Sequence, residues 1–296
     1  MNRIPVGRSI AFAYAYMFHH IGAVVRVTWF PALIFVVADA VTRISAAGSG
    51  SAVNEIEQAG GNAPIVVIGA LVMLVARSQA AVSITRQVLG QPNSAIPMDA
   101  TTLRMIAANL RFFIGGAVLL VTASLISVGA FALAGVPLDM PEAAEASIAA
   151  MIAAVLSLSL FAYAAIAIIR MGFFLAAVVV AEDKSGLKRS HDLAMGNLWR
   201  MIAVLAALGL PIVFLLAVGE FLVLSSALGP DFLSREDTAA VMRQAEGAIR
   251  DQIVAWEIFN AMLFVLASGL IYSGFAYAYR SVVLETPTTP SPPVSG

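Results

Sequence analysis

Long apolar runs alternate with short polar stretches along the 296 residues, and the runs resolve into six segments near 23–44, 64–86, 112–134, 148–180, 201–228 and 257–283. A helix rises about 1.5 Å per residue, so about 20 residues cross roughly 30 Å of hydrocarbon, and every run is long enough. The fourth and sixth exceed that need and are expected to tilt or to project into water. The pattern predicts an all-α, polytopic membrane protein, with a six-helix transmembrane domain over residues 1–285. From Thr286 to Gly296 the chain is rich in proline, threonine and serine, and this stretch is read as a disordered cytoplasmic tail.

The six spans pair into three hairpins with similar lead-ins, read as loose repeats over 3–91, 97–184 and 185–285. Arg8-Ser9 stands 23 residues before Pro31, and Arg189-Ser190 stands 22 before Pro211. Asn109-Leu110-Arg111-Phe112 parallels Asn197-Leu198-Trp199-Arg200, and Arg77 and Arg170 each lie 13 residues before the end of a returning segment, at Gly90 and Asp183. Repeats on this scale imply pseudo-symmetric packing of like units. Each lead-in is amphipathic, with Leu103, Ile106, Leu110 and Phe113 on one face in the second unit and Leu187, Ala194, Leu198 and Trp199 clustered in the third. Asp99 and Ser185 are the expected N-caps, since their oxygens can accept from orphan amides. The lead-ins are expected to lie in the membrane interface as elbows, apolar faces in the acyl boundary and basic groups toward anionic headgroups. The alternative is that they begin long transmembrane helices. Residues 234–256 carry a capping-box start and a helical stripe, which predicts a periplasmic helix leading into the sixth span.

Composition sharpens this picture. Hydrophobic residues make up 60% and charged residues 12% of the chain, with mean hydropathy +0.90; a soluble domain carries about 25% charged residues. A net charge of −1 without a concentrated basic face argues against nucleic acid as a partner. No cysteine is present, which excludes disulfides and thiol chemistry, and the three histidines, His19, His20 and His191, do not form a ligand set, so neither metal nor cofactor is expected. Arg3, Arg8, Arg86, Arg104, Arg111, Lys184, Lys188, Arg189, Arg200 and Arg280 flank one side of the spans, whereas the opposite loops are rich in acids such as Glu55, Glu57, Asp139, Asp231 and Glu236. The bias predicts that both termini are cytoplasmic. Ala38-Asp39-Ala40 imitates a signal-peptide cleavage site, but the long Phe/Tyr-rich lead-in favours a retained first span.

Chemistry has few candidates. Arg77 and Arg170 sit inside apolar helices, where a charge costs about 2.5–3.5 kcal/mol near the centre. They could form an anion or lipid-phosphate site, although a snorkelling or structural arginine is the preferred reading. Lys188, Arg189 and Arg200 are the basic candidates for lipid phosphate on the third lead-in. Asp39 and Glu220 could couple ions, although their position near span ends favours an interfacial role. His19-His20 and the aromatics Phe12, Tyr14, Tyr16, Tyr272, Tyr277 and Tyr279 are read as interface anchors and packing. Gly115-Gly116, Gly129 and Ala164-Ala165 are expected to allow close helix approach. The sequence carries no P-loop, nucleophile elbow, HExxH or Cys/His pair, and the protein is not expected to be an enzyme.

The run Glu182 to Val204, EDKSGLKRSHDLAMGNLWRMIAV, resembles an element of a bacterial family of six-helix membrane proteins, related to the N-terminal membrane domain of some glycerophosphodiester phosphodiesterases. Lys188, Arg189, Ser190, Gly196, Asn197, Trp199 and Arg200 match that family's basic-Ser pair and Gly-Asn-x-x-Arg/Lys step into the fifth span. The resemblance implies a helical inner-membrane module, and the histidine and carboxylate cluster of the phosphodiesterase is missing, so that activity does not carry over. The expectation is a non-catalytic inner-membrane protein that binds lipid or another membrane protein in envelope maintenance or assembly. A transporter or channel for a small solute, anions among the candidates, is the alternative; broken helices at Pro31 and Pro211 would suit that role, although such prolines occur in ordinary spans too. An intramembrane lipid enzyme ranks last.

Overall fold

A computed structural model describes residues 3–47, 55–92, 98–135, 148–183, 186–228 and 252–283. These form nine helices and no strand: α1 (Val6–His19), α2 (Ile21–Ala47), α3 (Glu55–Leu89), α4 (Ala100–Leu133), α5 (Ile148–Phe173), α6 (Leu175–Glu182), α7 (Leu187–Ala194), α8 (Leu198–Leu228) and α9 (Ile253–Val283). Six stretches are long and apolar enough to cross a membrane: α2, α3 from Pro64, α4, α5 with α6, α8 and α9. The protein is all-α, with the architecture of a polytopic membrane protein. The tail 286–296, Lys184, Ser185 and most of 234–256 lie outside the described residues, as do the side chains of Glu55 and Glu57.

The most extensive packing is of α2 with α3 and of α4 with α5, while α9 packs chiefly against α1, α2 and α3 and less against α8. Their close approaches use glycine, because a Cβ would collide with the facing helix. Gly69 faces Thr42 between α2 and α3, and a Cβ on Gly219 would lie 2.5 Å from the Phe259 ring between α8 and α9. Gly274 brings α9 against α1 and α8, with Leu208 Cδ1 2.6 Å from where its Cβ would be. The glycines expected at close approaches are not there: Gly115 and Gly129 have nothing within 4 Å, and Gly116 meets Ile168 only at an ordinary 3.7 Å. Gly115 and Gly129 sit where nothing packs on them, and Gly116, though buried against α5, leaves room for an ordinary Cβ contact, so their small size brings no backbone closer.

Burial is uneven along the bundle. One end holds a continuous core of Phe173, Phe174, Val178, Leu193, Met201, Val204, Leu208, Phe275 and Tyr279. Elsewhere large apolar side chains stay exposed along α2, α4, α5, α8 and the start of α9, from Ile21 to Ile44 and from Leu110 to Leu133, for example. A helix apolar all round must be buried in protein or face lipid. Ile4 is buried in the core, and Val6, Val282 and Val283 pack against it, so both described ends of the chain meet at this end of the bundle.

The lead-ins behave differently from interfacial elbows. In α1, Ser9, Ala13, Tyr16 and Met17 are buried, and the helix lies against α9 and α8. In α7, Ser190, Leu193 and Ala194 are buried, with α5 as its main neighbour. Protein, not acyl chain, covers those faces. The second lead-in is no separate element: α4 runs unbroken through it, and Asp99 caps its start by accepting from the Thr102 amide at 3.0 Å. Its Leu103 and Leu110 remain exposed. The aromatic anchors are also internal. Tyr14 donates to the Ala207 carbonyl at 3.0 Å, and Phe12 stacks on Tyr277 with ring centroids 4.5 Å apart. Tyr16 donates to Gln87 Oε1 at 2.6 Å, and burial pushes its hydroxyl above the ordinary tyrosine range, so it stays a donor.

At the two prolines the ordinary-span alternative holds. Pro31 and Pro211 sit inside α2 and α8, which continue through them without a break. The break falls instead in the fourth span, at Phe174 between α5 and α6. There the fully buried Ser190 hydroxyl accepts from the Phe174 amide at 3.2 Å and donates to the Arg170 carbonyl at 3.1 Å. Residues 170 and 174 are the pair an unbroken helix would bond directly. A side chain inserted into the i→i−4 ladder is a sufficient cause for a kink. The kink lets α6 enter the core, where Leu175 to Val180 are all buried.

Candidate functional site

Arg77 lies midway along the apolar part of α3, 13 residues past Pro64 and 12 before Leu89, or roughly 18–20 Å from either end. Its guanidinium carbon sits 5.5 Å from the centroid of the Phe35 ring. The side chain is exposed and lines a partly open cleft between helices. A cavity of about 530 Å³ among α2, α3, α8 and α9 is lined by Arg77, Asp39, Arg43, Asn260, Ser268 and Tyr272 together with apolar residues. A second, of about 330 Å³, reaches toward Asn109 on α4. Both are lined by Arg77, Ile271 and Tyr272, which puts the guanidinium at their junction.

The far end of the larger cavity is a charged cluster. Asp39 Oδ2 accepts from Arg43 Nε at 2.8 Å, one helical turn along α2, and from Asn260 Nδ2 of α9 at 3.2 Å. Arg43 also covers the Trp256 ring, 5.5 Å from guanidinium carbon to centroid. Beside them Glu257 is only 6% exposed, and neither of its carboxylate oxygens has a hydrogen-bond partner. The Asp39–Arg43 pair is readable in sequence as opposite charges four apart on a helix. Asn260 and Glu257 were missed, although two polar residues three apart on one face of an apolar helix were the available signal.

The other candidates are dispersed. Arg170 occupies the last turn of α5, where a cation suits the negative end of the helix dipole. Its nearest polar contact is the Met195 sulfur at 4.0 Å, and it lines neither of the two cavities that share Arg77. Arg77 and Arg170 therefore do not build one site. Glu220 is exposed on α8, and Asp39 pairs with Arg43 and Asn260 instead of with it. Arg189 Nε donates to both oxygens of Glu182 at 3.0 and 3.2 Å, and Tyr279 donates to the same carboxylate at 3.1 Å, so Arg189 is already compensated. Lys188 is exposed and Arg200 half-buried. No group of three or more histidine, cysteine or acidic side chains among the described residues could hold a metal ion.

A different feature is larger than the polar cavities. A groove of about 1010 Å³ runs between α2 and α9, floored by residues such as Trp29, Leu33, Val36, Phe259 and Met262, with Glu257 the one charged lining residue among the described residues. Its size is at the upper end of ordinary ligand clefts, about 300–1,000 Å³. Comparison with family models, curated proteins and solved structures finds no match to this chain. Fold and site together define a class, a multi-pass helical membrane protein with a charged cleft between its helices and an apolar side groove.

Proposed function

We propose that this is a non-catalytic protein of the bacterial inner membrane that holds a membrane lipid by its acyl chain, in the service of envelope maintenance or assembly. The groove between α2 and α9 carries the reading. It belongs to two membrane-spanning helices, it is apolar along its length, and hydrocarbon is the medium such a surface meets. The lysine and arginine bias supports cytoplasmic termini. Kinship with the six-helix membrane family rests on Lys188 to Arg200 and is part of the same proposal.

Native mass spectrometry of gently solubilised protein tests it. One or more lipids should stay bound, and bulky substitutions of small groove residues, Ala40→Phe or Ala261→Phe, should release them. Gly115→Ala, on a face with nothing within 4 Å, should not. A lipid-free spectrum, or equal retention in all variants, sinks the reading, and a co-purifying membrane protein seated on the groove would replace lipid as partner. The second reading, passage of a small anionic solute, is favoured by the junction of two cavities at Arg77, and uptake into proteoliposomes that depends on Arg77 would establish it.

A further inference from the structure

We infer that the cavity at Arg77 is a binding site for an oxyanion, a phosphate or carboxylate group borne by a small solute or by a lipid headgroup. The charge arrangement carries the inference. Of the charged residues lining the cavity, Asp39 and Arg43 satisfy each other at 2.8 Å with Glu257 beside that pair, which leaves Arg77 as the lining cation without a carboxylate partner among the described residues. Among the described residues no carboxylate reaches ion-pair distance of Arg77, and its contacts are the Phe35 ring and the neighbourhood of Tyr272. A ring face compensates a guanidinium only partly.

Geometry fits the ligand class. A guanidinium presents its N–H donors as a planar fork that matches two oxygens of a phosphate or carboxylate at once. Tyr272 and Ser268 add hydroxyls to the same wall, and Asn109 lines the smaller cavity on the other side of Arg77. At about 530 Å³ the larger space exceeds a bare ion and suits an organic anion or a headgroup. Asp39 lines the same cavity, and its carboxylate is engaged by the Asn260 amide at 3.2 Å and by Arg43 at 2.8 Å. The site shares only Leu263 with the lining of the apolar groove and does not depend on an acyl chain occupying it.

The test is thermal unfolding of the detergent-purified full chain with three probes at matched ionic strength: inorganic phosphate, acetate, and dioctanoyl phosphatidate in the micelle. At least one probe should raise the melting temperature in a saturable way, with roughly tenfold or more weaker binding in Arg77→Gln and an intermediate loss in Arg77→Lys, which lacks the fork. Ala267→Phe fills the cavity, keeps Arg77 and should abolish binding, which keeps the test open if Arg77→Gln fails to fold. Arg111→Gln, exposed on α4 and outside both cavities, is the control. Protection by phosphate or acetate identifies a free solute anion, and protection by phosphatidate alone identifies a headgroup. No saturable effect from any probe, or binding unchanged in both Arg77→Gln and Ala267→Phe, overturns the inference.

Discussion

Replacing Ser190 by alanine removes one hydroxyl that serves two backbone groups at the α5–α6 kink, the Phe174 amide at 3.2 Å and the Arg170 carbonyl at 3.1 Å. A typical internal hydrogen bond is worth about 1 kcal/mol net, and a buried donor left without a partner costs about 1–3 kcal/mol. The expected loss is therefore about 2–3 kcal/mol. Ser9 supplies a matched control. It is as fully buried as Ser190 and likewise follows an arginine near the start of a short helix, but its hydroxyl has no hydrogen-bond partner. Ser9→Ala should be neutral or slightly stabilising, because it removes an unsatisfied buried group. Titration of micellar protein with a denaturing detergent, followed by tryptophan fluorescence, compares the two variants directly. Hydrogen exchange adds a local readout: amides from Phe174 to Val178 should exchange faster in Ser190→Ala and unchanged in Ser9→Ala. Equal losses in both variants would refute the inserted-hydroxyl explanation of the kink.

Asp39→Ala should cost about 2–4 kcal/mol in the same titration, since it strips Arg43 of its carboxylate and orphans the buried Asn260 amide, whereas Asp39→Asn keeps an acceptor and should lose less. Gly219→Ala should destabilise by about 1–3 kcal/mol through its clash with the Phe259 ring, while Gly115→Ala should be neutral or gain up to about 1 kcal/mol of helix propensity; reversed signs would contradict the packing described. Asp99 feels desolvation, which raises its pKa, but the Thr102 amide and Arg86 outweigh it and hold the carboxyl below the usual range. A folded-state pKa below the unfolded value near 3.9 means that its stabilisation is present above that pH and disappears as the pH falls through the folded value. Acid titration monitored by exchange at the start of α4 should show this loss in the native protein and not in Asp99→Asn.

Much of the membrane architecture was legible in the chain because it depends on quantities a sequence carries directly, the length and apolarity of each run. Asp99 as a cap and the Asp39–Arg43 pair were readable for a similar reason, since both are local, three and four residues in reach. The kink was not. Prolines were the visible breakers, yet α2 and α8 absorb theirs, and the actual break depends on Ser190 meeting residues 16 and 20 positions away.

What the amino-acid order settled by itself was the all-helical class, the six apolar stretches and the places where charge enters them. Only the folded bundle decided which apolar faces are covered by protein, which glycines are approached, and which of two similar arginines lines a polar cleft between helices. The physical reason is that one apolar helix face looks like another along the chain. Contacts such as that between Asp39 and Asn260, 221 residues apart, exist only once the helices have chosen their neighbours.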